Sequence, residues 1–265
     1  MKKILLFALL ITACCLSACI DTEEKIVINA DNSGTYSLSM EMGKMIEMAG
    51  QMGAAQNNTD KPKQKKDTII YFKDAVLASD QITPAEKALF ANAFCVVKMD
   101  EANAEMNFSI NCPFASINQL AEIKEKLGGV MNKLKLMDQV GNMNAPKTEG
   151  SGGLADDGGN FNKTINPGAE FYTFSAIPGK LSCQIADKEG LKNKLANDSS
   201  LTMLQQMSAL TGEMTYKTII QLPSPVKKLK GAKGVLSDDK KTITYKSGLT
   251  DMISHPEEME YEIEY

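Results

Sequence analysis

Residues 94 to 114, FCVVKMDEANAEMNFSINCPF, leave the chain little freedom in how to fold. Cys95, Val97 and Met99 occupy every second position, and after the polar stretch Glu101 to Ala104 so do Met106, Phe108, Ile110 and Cys112. A period of two sends one set of side chains to one face, so this spacing predicts an antiparallel hairpin with one buried side. A single hairpin cannot bury that face alone, so the rest of the chain must supply a larger sheet and something to cover it.

The remaining patterns supply both. Residues 24 to 41, EKIVINADNSGTYSLSME, read as two alternating strands around a turn at Asp31 to Gly34. Residues 42 to 53 have helical spacing, residues 57 to 66 form a polar, lysine-rich loop, and residues 68 to 72 look extended. Thr83-Pro84-Ala85-Glu86 is a helix start, with Thr as N-cap, Pro at the first position and Glu at the third. From Ser116 to Met137 runs the longest helical pattern, its apolar stripe made by Ile117, Leu120, Ile123, Leu127, Val130, Leu134 and Met137. The glycine-rich residues 141 to 168 have no periodicity and read as a flexible loop. A second hairpin turns at Pro178-Gly179, short helices follow near 189 to 195 and 201 to 210, and strands are expected near 215 to 222, 234 to 236, 242 to 245 and 259 to 265. Strands and helices do not alternate strictly, which predicts an α+β fold with a mainly antiparallel sheet and several helices.

The first nineteen residues carry an address. Lys2 and Lys3 precede an apolar run from Ile4 to Cys15, and the small residues Ser17 and Ala18 lead into Cys19. The run is shorter than the roughly 20 residues a membrane-spanning helix needs, so it reads as a removable signal. Leu16-Ser17-Ala18-Cys19 resembles the lipobox of bacterial lipoproteins. That resemblance implies cleavage before Cys19 and diacylglycerol on its thiol, with the membrane as partner and the outer membrane of the cell envelope as location. The chain then divides into a signal over 1–18, a lipidated tether over 19–23 and one α+β domain over 24–265. The acids Asp21, Glu23 and Glu24 resemble the acidic tracts of surface-exported Bacteroidota lipoproteins, and a solvated tether would carry the same residues.

Composition narrows the partners. With Lys2 and Lys3 removed, 27 lysines face 33 acids, and the chain has neither arginine nor tryptophan. Without the planar guanidinium fork, and with a net negative charge, nucleic acid is excluded as the expected partner. The absence of tryptophan removes the residue most used for stacking on sugars.

Three cysteines follow the anchor. Cys95 and Cys112 share one face of the predicted hairpin within a diagonal step, so they could be bridged in an oxidising envelope or packed as reduced core thiols; spacing does not decide between these. Cys183 is left over. In MEMGKMIEMAGQM, the thioethers of Met40, Met42, Met45, Met48 and Met52 have the softness and spacing of a Cu(I) site. Met45, Met48 and Met52 equally suit the inward stripe of a short helix, and the segment as a whole an adaptable apolar groove for a lipid or an envelope protein. With no neighbouring histidine and no Cys-x-x-Cys, no metal or other cofactor is expected.

Weaker patterns have plain explanations. Asn29 to Gly34 opens like a calcium loop, but Met40 stands where the closing acid belongs. Asp67-Thr68-Ile69 fits a short O-glycosylation pattern and equally a strand. Lys227, Lys228, Lys230 and Lys233 could meet anionic headgroups or line a strand edge. The sole histidine, His255, precedes Pro256 in a polar turn.

The opening KIVINADNSGTYSLSMEM and the closing residues 222 to 265 together resemble the two ends of uncharacterised Bacteroidota lipoproteins and, more distantly, LppM-type secreted domains. The resemblance implies that the N-terminal hairpin pairs with strands from about residue 213 onward. No catalytic motif is present. The expected function is that of a membrane-anchored, non-catalytic binding or accessory module of the envelope. A lipid carrier and an enzyme of unrecognised type are the alternatives, the first requiring an apolar groove lined by Met and Leu, the second a polar cleft with paired carboxylates.

Overall fold

Asn29 to Ser33 turn the chain back on itself in a computed structural model that describes residues 21–43, 65–135, 171–198, 212–231 and 233–265, with five positions between 201 and 208. Asp31 Oδ1 accepts from the Ser33 amide at 2.9 Å, and Asn32 adopts a φ of 66°, a conformation asparagine tolerates. The turn joins β1 (Asp21–Ile28) to β2 (Gly34–Glu41), antiparallel along their whole length. Gly34 is required by space: a Cβ there would stand 2.0 Å from the Val27 carbonyl oxygen and 2.4 Å from the Phe114 ring.

The cysteine-bearing hairpin forms as its alternation predicts, from β4 (Phe94–Asp100) and β5 (Glu105–Phe114). It is extended on one side by the edge strand β3 (Lys65–Tyr71) and on the other by β2. Two short helices link β3 to β4: α1 (Lys73–Ala78) and α2 (Pro84–Phe90). β1 pairs on its far side with β8 (Thr215–Gln221) in parallel, and β11 (Thr242–Gly248) and the two-residue β10 (Val235–Leu236) complete an eight-stranded sheet. Its order is β10-β11-β8-β1-β2-β5-β4-β3. The N-terminal hairpin thus pairs with C-terminal strands.

A second, four-stranded sheet has the order β6-β7-β12-β9. Its strands are β6 (Tyr172–Ile177), β7 (Lys180–Ile185), β9 (Lys228–Lys230) and β12 (Tyr261–Glu264). The closing strand therefore leaves the main sheet, where its family resemblance would have placed it. Tyr261, Ile263 and Tyr265 face the core, while Glu262 accepts from Lys230 at 2.9 Å and Lys180 at 3.1 Å. Those cross-strand ion pairs fix the neighbours of β12.

The two sheets share one core with α3 (Leu120–Lys133), which a 3₁₀ turn at Ile117–Gln119 introduces. Ser116 and Gln119 cap that turn reciprocally. The apolar stripe of Ile117, Leu120, Ile123, Leu127, Val130 and Leu134 is buried as its spacing requires; Met137 lies outside the described residues. α4 (Lys188–Asn197), capped by Asp187, and α5 (Leu249–Ser254) lie beside a smaller cluster of Leu201, Met214, Tyr216, Leu249 and Met252. The helix expected at 42–53 from residue 44 onward, the loop at 141–168 and half the positions of the helix at 201–210 also fall outside the described residues.

One expectation is corrected by the first strand. β1 begins at Asp21, so Asp21, Glu23 and Glu24 are sheet residues and not part of a solvated tether. Lys217 Nζ lies 3.0 Å from Glu23, and Asp21 is hydrogen-bonded to Thr215. Acids next to a signal suggest solvent, yet here each finds a cross-strand partner.

The start of α2 yields a prediction. Thr83 Oγ1 accepts from the Glu86 amide at 3.3 Å, Glu86 Oε2 accepts from the Thr83 amide at 2.8 Å, and Lys133 Nζ donates to Glu86 Oε1 at 2.7 Å. The Lys133 bond, with help from Thr83, holds the Glu86 carboxyl down at about 2. A carboxyl lowered on folding stabilises fully above its ordinary value near 4.5 and loses that contribution as pH falls toward 2. Between pH 5 and pH 2 the native chain should lose about 2 kcal/mol more stability than Glu86→Gln, allowing for solvent around Lys133. Urea unfolding at several pH values measures this, and parallel curves for the two proteins would contradict it.

Candidate functional site

The inner face of the main sheet is built from even-numbered residues in β1 and β2, and one of them is charged. Glu24 stands between Ile26 and Thr22 on that face, opposite Leu38 and Thr218. Its Oε1 accepts from Tyr36 Oη at 3.0 Å and from Lys124 Nζ of α3 at 2.5 Å, and Thr218 Oγ1 lies 3.4 Å from Oε2. The Glu24 and Lys124 side chains are only 15% and 18% exposed. The Lys124 ammonium also sits 4.3 Å from the centre of the Phe174 ring and 5.7 Å from that of Tyr36, so ring faces complete its surroundings. Tyr261 stacks on Tyr245 with ring centres 5.0 Å apart, and Cys183 is cross-strand from Tyr261.

Burial governs the protonation of this cluster. It raises the Tyr36 and Tyr261 phenols well above their ordinary value and pushes the Cys183 thiol up to about 11. At neutral pH these groups keep their protons, so the arrangement joins α3 to both sheets and presents no thiolate or phenolate. No local sequence signal announces it, because Lys124 is 100 residues from its partner.

The cysteines and methionines singled out by sequence belong to the core where they are described. Cys95 and Cys112 face inward on β4 and β5 as free, buried thiols that burial pushes up to about 12. A bridge between them is not made. Cys95 pairs with Ile110, which places Cys112 one diagonal step away, and diagonal neighbours stand about 7–8 Å apart, beyond ordinary disulfide reach. Met40 packs beside Phe108 on the same inner face, and the Met42 amide donates to the Met106 carbonyl at 2.7 Å. Both are buried members of the core. Met45, Met48 and Met52, like Cys19, lie outside the described residues. Among the described residues no group of three His, Cys, Asp or Glu is placed to hold a metal ion.

The weaker candidates resolve into turns and ion pairs. Asp31 is committed to Ser33, and Thr68 sits opposite Val97 on the edge strand. His255 is exposed after α5, 3.6 Å from Glu257. The C-terminal lysines have partners: Lys227 donates to the Tyr265 backbone oxygen, Lys228 and Lys230 pair with Glu264 and Glu262, and Lys233 pairs with Asp251 and Glu258. A strand edge explains them better than a headgroup-binding patch.

Two surfaces remain. The outer face of the main sheet has no buried residue in β1, β2, β5, β8 or β11. One row across it reads Tyr71, Phe94, Asn111, Ser37, Lys25, Ile219 and Thr244 in register. Ser37 Oγ donates to Asn111 Oδ1 at 2.8 Å, and Tyr71 is 68% exposed with its ring 6.1 Å from Phe94. The second surface is a groove of about 600 Å³ between α4 and the segment after α5, with Leu191, Leu195, Ile253 and Pro256 beneath and Lys188 and Lys192 on the rim. Among the described residues its lining has the leucines expected of a lipid groove and no methionine. A smaller hollow of about 210 Å³ has Glu213 in its described lining.

Compared with known proteins, the chain matches no family model, no curated protein and no solved structure.

Proposed function

We propose that this chain is a lipoprotein anchored to the cell envelope through Cys19, in which the α+β domain is a non-catalytic binding or accessory module. One observation carries the reading. Leu16-Ser17-Ala18-Cys19 follows Lys2, Lys3 and the apolar run from Ile4 to Cys15, and the first described strand starts at Asp21, two residues after Cys19. The open outer face of the main sheet, polar along most of its rows and ending in Tyr71 and Phe94, is the surface offered to a partner. Cys19→Ala should move the protein from the membrane pellet to the soluble fraction without changing its unfolding midpoint. Retention of the variant in the pellet would sink the anchoring.

The groove beside α4 favours a second reading, a lipid carrier, because an apolar lining that also holds Lys188 and Lys192 beside Glu257 suits an amphiphile. Native mass spectrometry of the chain from residue 20 onward separates the two. A bare chain supports the module, and co-purified lipid supports the carrier.

A further inference from the structure

We infer that the anchor fixes which end of the domain meets the bilayer: the end of the main sheet where β1 starts lies at the headgroups, and the end bearing the β1–β2 turn and the β10–β11 turn points outward. The inference rests on the proposed lipidation of Cys19 and adds to it a geometry.

Only Ile20 separates Cys19 from the first strand residue, and two residues span at most about 7 Å. Acyl chains on Cys19 hold that residue at the edge of the hydrocarbon, and the headgroup layer on each side is roughly 5–8 Å deep. Asp21 therefore emerges at the outer margin of the headgroups.

The tether cannot lengthen by peeling off the strand. β1 is central, paired with β2 through Asp21↔Glu41 and with β8 through Asp21↔Thr215. Unzipping it would open two ladders at once and withdraw Thr22 and Glu24 from the packed face. An edge strand with a free side could fray; this one is held from both flanks.

The neighbours then define the membrane-facing end. Glu41 aligns with Asn107, Thr215 with Gly248, and Asp100 with Glu105, so the ends of β2, β5, β4, β8 and β11 gather there. Glu41, Glu105 and Glu213 are exposed at that end, as is Lys65, which pairs with Asp100. The covalent anchor sets the position. The opposite end is about 20 Å away along β1, given roughly 3.3 Å per strand residue. It carries the Asn29–Ser33 turn and the turn between β10 and β11.

The chain contains no tryptophan, so an introduced one reports alone. We would prepare the full lipidated chain in vesicles containing a phospholipid with a nitroxide on its headgroup, with single substitutions Glu41→Trp and Glu105→Trp at the near end and Ala30→Trp and Asp238→Trp at the far end. All four positions are exposed. The expected result is several-fold stronger quenching at positions 41 and 105 than at 30 and 238. Equal quenching at all four, or stronger quenching at the far pair, would overturn the orientation. The mass of the N-terminal peptide is read on the same samples: without acyl chains on Cys19 the lipoprotein reading falls and takes the orientation with it, whereas acylated protein with uniform quenching defeats the orientation alone.

Discussion

Lys124→Met is expected to lower folding stability by about 3 kcal/mol, because it leaves the Glu24 carboxylate enclosed without its cation. The remaining partners, Tyr36 Oη at 3.0 Å and Thr218 Oγ1 at 3.4 Å, cannot neutralise it. The reciprocal change should cost less. In Glu24→Gln the ammonium of Lys124 keeps the Phe174 ring at 4.3 Å, and its long stem can carry it toward water. Replacing both members with apolar residues, as in Glu24→Leu with Lys124→Met, should recover much of the single-variant loss. Urea midpoints of Lys124→Met, Glu24→Leu and the double variant measure the coupling between the two sites. If the losses simply add, the pair does not hold α3 to the sheet in the manner described.

Gly34→Val should be comparably damaging by a different route. The new Cβ would overlap the Val27 carbonyl and the Phe114 ring, and both belong to strands that flank β2. Neither the paired backbone nor the packed ring can yield without opening the hairpin, so overpacking of about 3 kcal/mol is expected. For a domain of this size that corresponds to a fall of roughly 6–12 °C in Tm. A thermal melt within two or three degrees of the parent would mean that the hairpin closes less tightly than the contacts indicate.

These two sites mark the limit of what the sequence reveals. Alternation made β2, β4 and β5 legible, because each has an unbroken set of apolar residues at every second position. β1 was partly hidden: its inward set is Thr22, Glu24, Ile26 and Ile28, and a glutamate in that series breaks the pattern that periodicity detects. The acids at its start therefore looked like a tether. Glu24 makes sense only beside Lys124, and a pair 100 residues apart has no local signature. The capped start of α2 was readable from four residues because the capping box is a local device. The departure of β12 to the second sheet had a visible trace: Glu262 and Glu264 alternate in step with Lys228 and Lys230. The disulfide question turned on register, which spacing around a turn constrains only to within a diagonal step.

The mass of the N-terminal peptide of the mature protein, extracted from membranes with detergent, tests the proposed anchoring through Cys19 most directly. The prediction is a chain that begins at Cys19 and carries the added mass of diacylglycerol, with Asp21 two residues behind it. An N-terminus at any other position, or an unmodified thiol at Cys19, would contradict the anchoring and everything built on it.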